Sequence, residues 1–177
     1  MLSNGTYEIA IKPAGVNEIP LIRSMADVVF RRTYADILSP EQMEYMMEWM
    51  YSEDSLAVQV SAPGKYFFIA YTDDVPAGYV SFEYDDIMED GRRLYHLQKL
   101  YVMPDFQGRG LGRRMLSFVC DTLSSMNPEG CRFELNVNRN NSAVGFYEHC
   151  GLSRVRQGDF PIGGGYFMND YIYALDI

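Results

Sequence analysis

Residues 100–114 read LYVMPDFQGRGLGRR, an apolar strand that runs into a glycine-rich turn and then into a helix. Glycines let the backbone approach a ligand closely and adopt angles that other residues avoid. The first turn of the helix offers unpaired N–H groups at the positive end of the helix dipole. Arg109, Arg113 and Arg114 add three cations to the same turn. The segment therefore predicts a binding site for a pyrophosphate group.

Two common phosphate-binding motifs do not fit this segment. A Walker loop ends in Gly-Lys followed by Ser or Thr, and no such run follows the glycines here. A dinucleotide fingerprint that begins at Gly108 and Gly110 would need a third glycine at the position of Arg113. That fingerprint also lies early in a βαβ unit, whereas this turn lies past the middle of the chain. The sequence excludes both kinds of site.

The rest of the chain predicts strands interspersed with helices. Alternating or continuous apolar runs predict strands over residues 7–11, 66–71, 77–82, 94–102, 133–137 and 166–175. Apolar residues at helical spacing predict helices over residues 17–30, 40–50, 111–123 and 142–150. This order is typical of an α/β (α+β) domain with a mixed sheet. Because the chain has 177 residues and no linker-like segment, we expect a single domain over residues 1–177.

Composition limits the classes of partner. The formal charge is −9, so we expect no nucleic-acid binding, which depends on clustered Lys and Arg, and we expect attraction to a cationic partner. No apolar run approaches the ~20 residues of a membrane helix, and residues 1–12 lack the pattern of a signal peptide. The three cysteines lack metal-ligand spacing, and reduced thiols are favoured over a disulfide. We therefore expect a cytoplasmic protein without a metal site or a membrane partner.

Two motifs together resemble the GNAT superfamily of N-acetyltransferases. Gln107-x-x-Gly110-x-Gly112 is similar to the Q/R-x-x-G-x-G/A motif with which that superfamily binds acetyl-CoA. Residues 140–152 read NNSAVGFYEHCGL and are similar to its N-x-x-A-x-x-F-Y-E-x-x-G-F signature. The resemblance implies a three-layer domain with a mixed, V-shaped central sheet flanked by helices. It also implies that acetyl-CoA lies in the split of the sheet and donates its acetyl group to a primary amine.

The resemblance also implies which residues contact acetyl-CoA. Backbone groups of Leu100 and Val102 would pair with the pantetheine arm and the thioester. Asn140 would hydrogen-bond the pantetheine, or it could instead cap the following helix. The pyrophosphate would lie against the backbone N–H groups of Gln107, Gly108, Arg109, Gly110, Leu111, Gly112 and Arg113.

Two residues are candidates for proton transfer. Tyr147 matches the tyrosine that protonates the departing CoA thiolate in many members of the superfamily, and its alternative role is that of a core tyrosine. His96 is expected on the same strand face as Leu100 and Val102. There a neutral imidazole could accept the proton of the amine, unless the residue is purely structural. Gln98 stands where relatives place a carboxylate, which leaves His96 or a chain of waters as the base.

The C-terminal residues 158–171 resemble the corresponding part of bacterial polyamine (spermidine/spermine) acetyltransferases. Asp170 in this segment could bind a cationic amine or be solvated. Four further acidic residues could attract the same cation, namely Asp85, Asp86, Glu89 and Asp90. The predicted acceptor is a small cationic amine such as a polyamine, with a protein N-terminus or an amino acid as the alternative. A CoA-binding regulatory module without catalysis is the alternative function, and the chain could form a homodimer as many relatives do.

Overall fold

The computed structural model describes residues 7–177, which contain seven strands and five α-helices. The strands are β1 (Ile9–Pro13), β2 (Lys65–Thr72), β3 (Val75–Ile87), β4 (Arg93–Val102), β5 (Cys131–Asn138), β6 (Ser153–Gly163) and β7 (Tyr166–Asp176). The helices are α1 (Ile19–Tyr34), α2 (Pro40–Tyr51), α3 (Glu53–Ser61), α4 (Leu111–Met126) and α5 (Ala143–His149). The prediction about a signal peptide falls partly on residues 1–6, which lie outside the described residues.

All seven strands form one mixed sheet, as the sequence predicts. Their order is β1-β2-β3-β4-β5-β7-β6, and every neighbouring pair is antiparallel except β4 and β5. The parallel pairing of β4 with β5 joins Arg93–Leu97 to Cys131–Leu135 and then stops. Beyond these residues the two strands separate, so the sheet has the predicted V shape.

Helices cover both faces of the sheet. The first core lies between one face and helices α4 and α5, and Leu116 and Phe133 are among its buried residues. The second core lies between the other face and helices α1, α2 and α3, and it contains Ile22 and Met46. This arrangement of helices, sheet and helices confirms the predicted three-layer α/β fold.

A β-bulge interrupts β4 at the point where it leaves β5. Two consecutive residues of β3, Ser81 and Phe82, pair with Lys99 and Leu97 of β4. Gln98 therefore has no partner opposite it on β3, which is the definition of a bulge. One extra residue reverses the alternation of side chains for the rest of the strand.

The core contacts of the apolar residues of β4 show this reversal of side-chain direction. Leu97, before the bulge, and Leu100 and Val102, after it, all contact the first core. Tyr101 contacts the second core instead. Odd-numbered residues of β4 thus face the first core before the bulge, and even-numbered residues face it afterwards.

The sequence misses two elements and misplaces some ends. Only Leu56 is buried in α3, so this helix lacks the repeated apolar positions that would reveal it. Strand β6 is largely exposed along its length and forms the edge of the sheet beside β7. Strand β3 continues to Ile87, five residues beyond the predicted end, as an exposed extension.

The bulge turns Lys99 into the second core, where the residue is 6% exposed. Its Nζ donates to Oε1 of Gln59 at 2.6 Å and lies 5.4 Å from the centre of the Tyr51 ring. Burial lowers the pKa of Lys99 to about 8, and the charge of Glu83 only partly opposes this effect. A buried ammonium costs stability that an apolar side chain of similar length would not cost.

We expect the Lys99→Met variant to lose a pH-dependent component of stability. Because the pKa is about 8 in the folded protein and 10.5 in an ordinary exposed lysine, the unfolded chain binds more protons between these pH values. The free energy of unfolding of the wild type should therefore rise from pH 7 to pH 9.5, by about 2 kcal/mol at most. Urea unfolding at both pH values measures the rise, which should be absent in Lys99→Met.

The control is Lys12→Met, which removes an exposed lysine of β1 and should keep the wild-type rise. An equal rise in the wild type and in Lys99→Met would contradict the burial of a partly neutral amine at this position.

Candidate active site

The separation of β4 and β5 leaves a cleft of about 530 Å³. Its walls come from the ends of both strands, the glycine-rich turn, the first turn of α4, helix α5 and one side of α1. Beyond Leu97 the edge of β4 that faces β5 has no strand partner among residues 7–177, so its backbone groups are available to a ligand. Nine of the twelve predicted site residues line the cleft: Leu100, Val102, Gln107, Gly108, Gly110, Leu111, Gly112, Arg113 and Tyr147.

The glycine-rich turn presents the N-terminus of α4 to the cleft. Gly110 precedes the helix with φ +82°, a left-handed conformation that glycine adopts without steric cost. Within the described residues no side chain caps this helix and no acidic residue lies in its first turn. Its first N–H groups therefore keep their capacity to bond a ligand, and Arg113 adds a positive charge beside them. The arrangement suits an anion such as a phosphate.

Two residues predicted to contact the cofactor do not line the cleft. Arg109 is exposed and lies over the rings of Tyr7 and Phe106, at 5.4 and 5.9 Å from their centres. Asn140 is also exposed, and its side chain does not cap α5. The neighbouring Asn141 accepts a backbone N–H at the start of α5 at 2.9 Å, and it lines the cleft.

Tyr147 enters the cleft from α5, on the side of the first core. The residue is 8% exposed, and its hydroxyl makes no hydrogen bond to the part of the chain that the structure describes. Burial raises the pKa of the phenol far above its usual range, and the nearby Tyr34 and Cys150 add to this effect. Tyr147 therefore stays protonated at neutral pH and can act as a proton donor.

Tyr34 lines the cleft from the end of α1, and the sequence did not indicate it. Its hydroxyl lies 3.4 Å from that of Tyr101 on β4, and burial raises the pKa of the phenol. In the sequence Tyr34 only continues the apolar face of α1. Its place in the cleft depends on the packing of α1 against β4, which no local pattern reports.

His96 lies on the opposite face of the sheet from the one predicted. The prediction assumed unbroken alternation from His96 to Leu100, but the bulge at Gln98 reverses it. Leu100 contacts the first core, whereas His96 lies on the other face and does not line the cleft. Its Nε2 lies 3.1 Å from Oδ1 of Asn136 on β5, and Asn136 does line the cleft.

Asp170 on β7 extends this polar contact by one strand. Nδ2 of Asn136 donates to Oδ2 of Asp170 at 3.2 Å. Asp170 is 4% exposed, and its Oδ1 has no hydrogen-bond partner among the described residues. Burial raises the pKa of this carboxyl, while the bond from Asn136 and the charges of Arg139 and His96 lower it. Because this oxygen is itself buried, the carboxylate acts on a cation in the cleft through its charge.

The other acidic residues expected near the acceptor lie elsewhere. All four are exposed in the extension of the β3–β4 hairpin, next to the end of β4 that is still paired with β5. The cleft opens at the other end of β4, beyond Leu97. Asp90 is moreover engaged by Arg92 at 2.8 Å. Of the acidic residues named from the sequence, Asp170 alone is therefore within one hydrogen bond of a residue that lines the cleft.

Three further properties concern residues 7–177 as a whole. No group of His, Cys, Asp and Glu side chains in this range is arranged to hold a metal ion. No helix in the same range is both long and apolar enough to cross a membrane. Cys120, Cys131 and Cys150 are free thiols, and burial raises the pKa of Cys120 to about 11.

Comparison with known proteins gives a consistent result. A sequence model of the acetyltransferase (GNAT) family matches residues 29–152. An uncharacterised N-acetyltransferase of Lactobacillus delbrueckii subsp. lactis is 24% identical over 163 residues, which are 88% of this chain and 90% of that protein. The family match includes the glycine-rich turn, the cleft and Tyr147.

Solved structures share the fold. The PaiA N-acetyltransferase of Thermoplasma acidophilum, in complex with coenzyme A, superposes with a TM-score of 0.76 at 20% identity. The alignment covers 96% of this chain and 99% of that one. A GCN5-related N-acetyltransferase of Rhodopseudomonas palustris gives a TM-score of 0.75 at 19% identity, over 99% of this chain and all of the other.

Proposed function

This chain belongs to the acetyltransferase (GNAT) family, and we propose that it moves the acetyl group of acetyl-CoA to the primary amine of a small cationic molecule such as a polyamine. The observation that carries the proposal is the cleft between β4 and β5. Within residues 7–177 it has a strand edge without a partner strand, a helix N-terminus without a side-chain cap at one end, and a buried protonated tyrosine in its wall. Each of these features can bind, or donate a proton to, a different part of acetyl-CoA.

The donor lies along the cleft in this proposal. Backbone groups of Leu100 and Val102 on the free edge of β4 pair with the pantetheine arm, as an added strand would. The pyrophosphate accepts hydrogen bonds from the N–H groups of the glycine-rich turn and of the first turn of α4. Asn141 is a better candidate than Asn140 for a polar contact to the pantetheine, because it lines the cleft.

The reaction is a direct transfer. The amine nitrogen attacks the thioester carbonyl carbon and forms a tetrahedral oxyanion, which a backbone N–H of β4 near Leu100 stabilises. The C–S bond then breaks, and Tyr147 gives its proton to the departing thiolate. The ammonium loses two protons in becoming an amide. One proton restores Tyr147. The other reaches His96 through a chain of waters, because the ring of His96 does not line the cleft, and then passes to solvent.

The reversal of side-chain direction at the bulge supports separate roles for Tyr147 as the acid and His96 as the base. Tyr147 belongs to the first-core side of the sheet, and His96 lies on the opposite face beside Asn136. Donor chemistry and acceptor chemistry can therefore take place on opposite sides of the same gap. A base on the face of Tyr147 would have to share the space that the leaving thiolate occupies.

The acceptor is proposed from charge. The carboxylate of Asp170 is buried and lies one hydrogen bond from the cleft-lining Asn136, so its charge acts on the cleft. A formal charge of −9 also attracts cations from a distance. Both observations favour a polyamine over a neutral or zwitterionic amino acid.

An amine panel tests the function. At saturating acetyl-CoA, we expect release of the CoA thiol with spermidine or spermine, and a KM that rises with salt because salt screens the attraction. Calorimetry with acetyl-CoA alone reports binding independently. Tight binding without turnover on any amine would leave a regulatory module instead of an enzyme. Turnover confined to peptides with a free N-terminus, or to amino acids, would keep the enzyme and refute the polyamine.

Tyr147→Phe tests the proton donor. We expect kcat to fall by about 10²–10⁴-fold, the usual value of general acid catalysis, because the thiolate must leave unprotonated. Binding of acetyl-CoA, measured by calorimetry, should be nearly unchanged since the ring remains.

The matched control is Tyr95→Phe, which removes the hydroxyl of another buried tyrosine outside the cleft, bonded to Asn127 at 3.3 Å. Its kcat should stay at the wild-type value. If the two variants have equal kcat, Tyr147 is a core tyrosine and not the acid.

A further inference from the structure

Three polar side chains on adjacent strands form a continuous hydrogen-bonded row. His96 on β4 contacts Asn136 on β5 at 3.1 Å, and Asn136 contacts Asp170 on β7 at 3.2 Å. Each end of the row carries one buried atom without a partner among the described residues, Nδ1 of His96 and Oδ1 of Asp170. The row passes beside the cleft, because its middle member lines the cleft.

The chemistry of the three groups fixes where the hydrogens lie. A carboxylate only accepts hydrogen bonds, so Asn136 must turn its amide NH₂ toward Asp170. The amide carbonyl oxygen of Asn136 then faces His96, and this oxygen also only accepts. The ring nitrogen that contacts it, Nε2, must therefore carry a hydrogen. In a neutral imidazole the other nitrogen, Nδ1, is left with the lone pair.

We propose that Asp170 acts through Asn136 as a positioning residue, which holds neutral His96 in the Nε2–H tautomer with Nδ1 as the basic atom. This inference rests on the proposed role of His96 as the base. When Nδ1 takes the proton, the bond from Nε2–H to Asn136 remains, so the row serves the neutral and the protonated ring alike. The negative charge of Asp170 then stabilises the imidazolium.

Other charged groups near His96 are already engaged. Glu83 of β3, opposite His96 in the register, binds Lys65 and accepts from Gln98 at 2.8 Å. Glu134 of β5, also paired with His96, binds Arg156 at 2.6 Å. The carboxylate that reaches His96 through a hydrogen-bonded link is therefore Asp170.

The second histidine provides an internal reference. Nδ1 of His149 lies 2.6 Å from the backbone carbonyl oxygen of Gly145. Because a carbonyl only accepts, Nδ1 of His149 carries the hydrogen. The two histidines of the chain should thus adopt opposite tautomers.

Nitrogen-15 NMR of the full chain tests the inference without any substrate. Long-range proton–nitrogen spectra above the ring pKa should show one Nε2–H tautomer for His96 and the Nδ1–H tautomer for His149. A His96 signal from the Nδ1–H tautomer, or from an even mixture, would overturn the proposal directly.

Asp170→Asn tests the origin of the tautomer. The new amide can present either its oxygen or its NH₂, so Asn136 can turn over and His96 should become a mixture, while His149 is unchanged. Since Asp170 is buried and its variant could fail to fold, Asn136→Ala serves as a second variant that interrupts the row. It should produce the same mixture of His96 tautomers. Unchanged His96 spectra in a folded variant would refute the link.

Kinetics complete the test. Loss of a carboxylate that sets a histidine tautomer costs up to ~10⁴-fold in kcat in Ser-His-Asp enzymes, and through an intervening amide we expect about 10–100-fold. The acid limb of the kcat/KM profile should move to lower pH, because the imidazolium has lost a nearby negative charge. A purely structural role for Asp170 would lower activity without moving this limb.

The charge control is Asp159→Asn, which removes an exposed carboxylate paired with Arg139 and should leave the His96 tautomer and the acid limb unchanged.

His96→Gln separates this proposal from the proposed function. If it keeps the wild-type acid limb, His96 is not the base and the function as proposed fails at that step, whereas the tautomer measured by NMR stands on its own.

Discussion

The parallel pairing of β4 with β5 extends over only five residues of each strand, and the cleft exists because it stops there. A strand edge buried inside a protein needs partners for its N–H and C=O groups, and here no neighbouring strand in the described chain supplies them beyond Leu97. The bulge at Gln98 falls at the same place and turns the side chains of β4 over. One interruption of the sheet thus provides both a free backbone edge and two chemically different faces.

Charge is distributed unevenly around this interruption. The chain is acidic overall, yet the turn before α4 combines glycines and arginines with N–H groups that no side chain of the described residues caps. On the other side of the gap lies the buried carboxylate of Asp170, one oxygen of which has no hydrogen-bond partner in residues 7–177. In the proposed reaction the anionic donor lies at the first end and the cationic acceptor at the second, an orientation that these charges favour.

Local features could be predicted from the sequence, and long-range ones could not. The glycine-rich turn and the start of α4 depend on backbone preferences within a few residues, and the structure agrees with both. The bulge left no such mark, because Gln98 and its neighbours read as an ordinary strand, and the expected face of His96 was therefore wrong. Tyr34 and Asn136 join the site only through the packing of α1 and β5 against β4, and edge strand β6 lacks the apolar alternation that marks a strand.

A gap that reaches through the sheet also bears on the order of events during turnover. In the proposed reaction the donor reacts on the face of Tyr147 and the acceptor on the face of His96, so both are bound when the acetyl group moves. Such a site has no need of an acetylated enzyme intermediate to carry the group from one reactant to the next. The proposal therefore requires a ternary complex of the chain with both reactants.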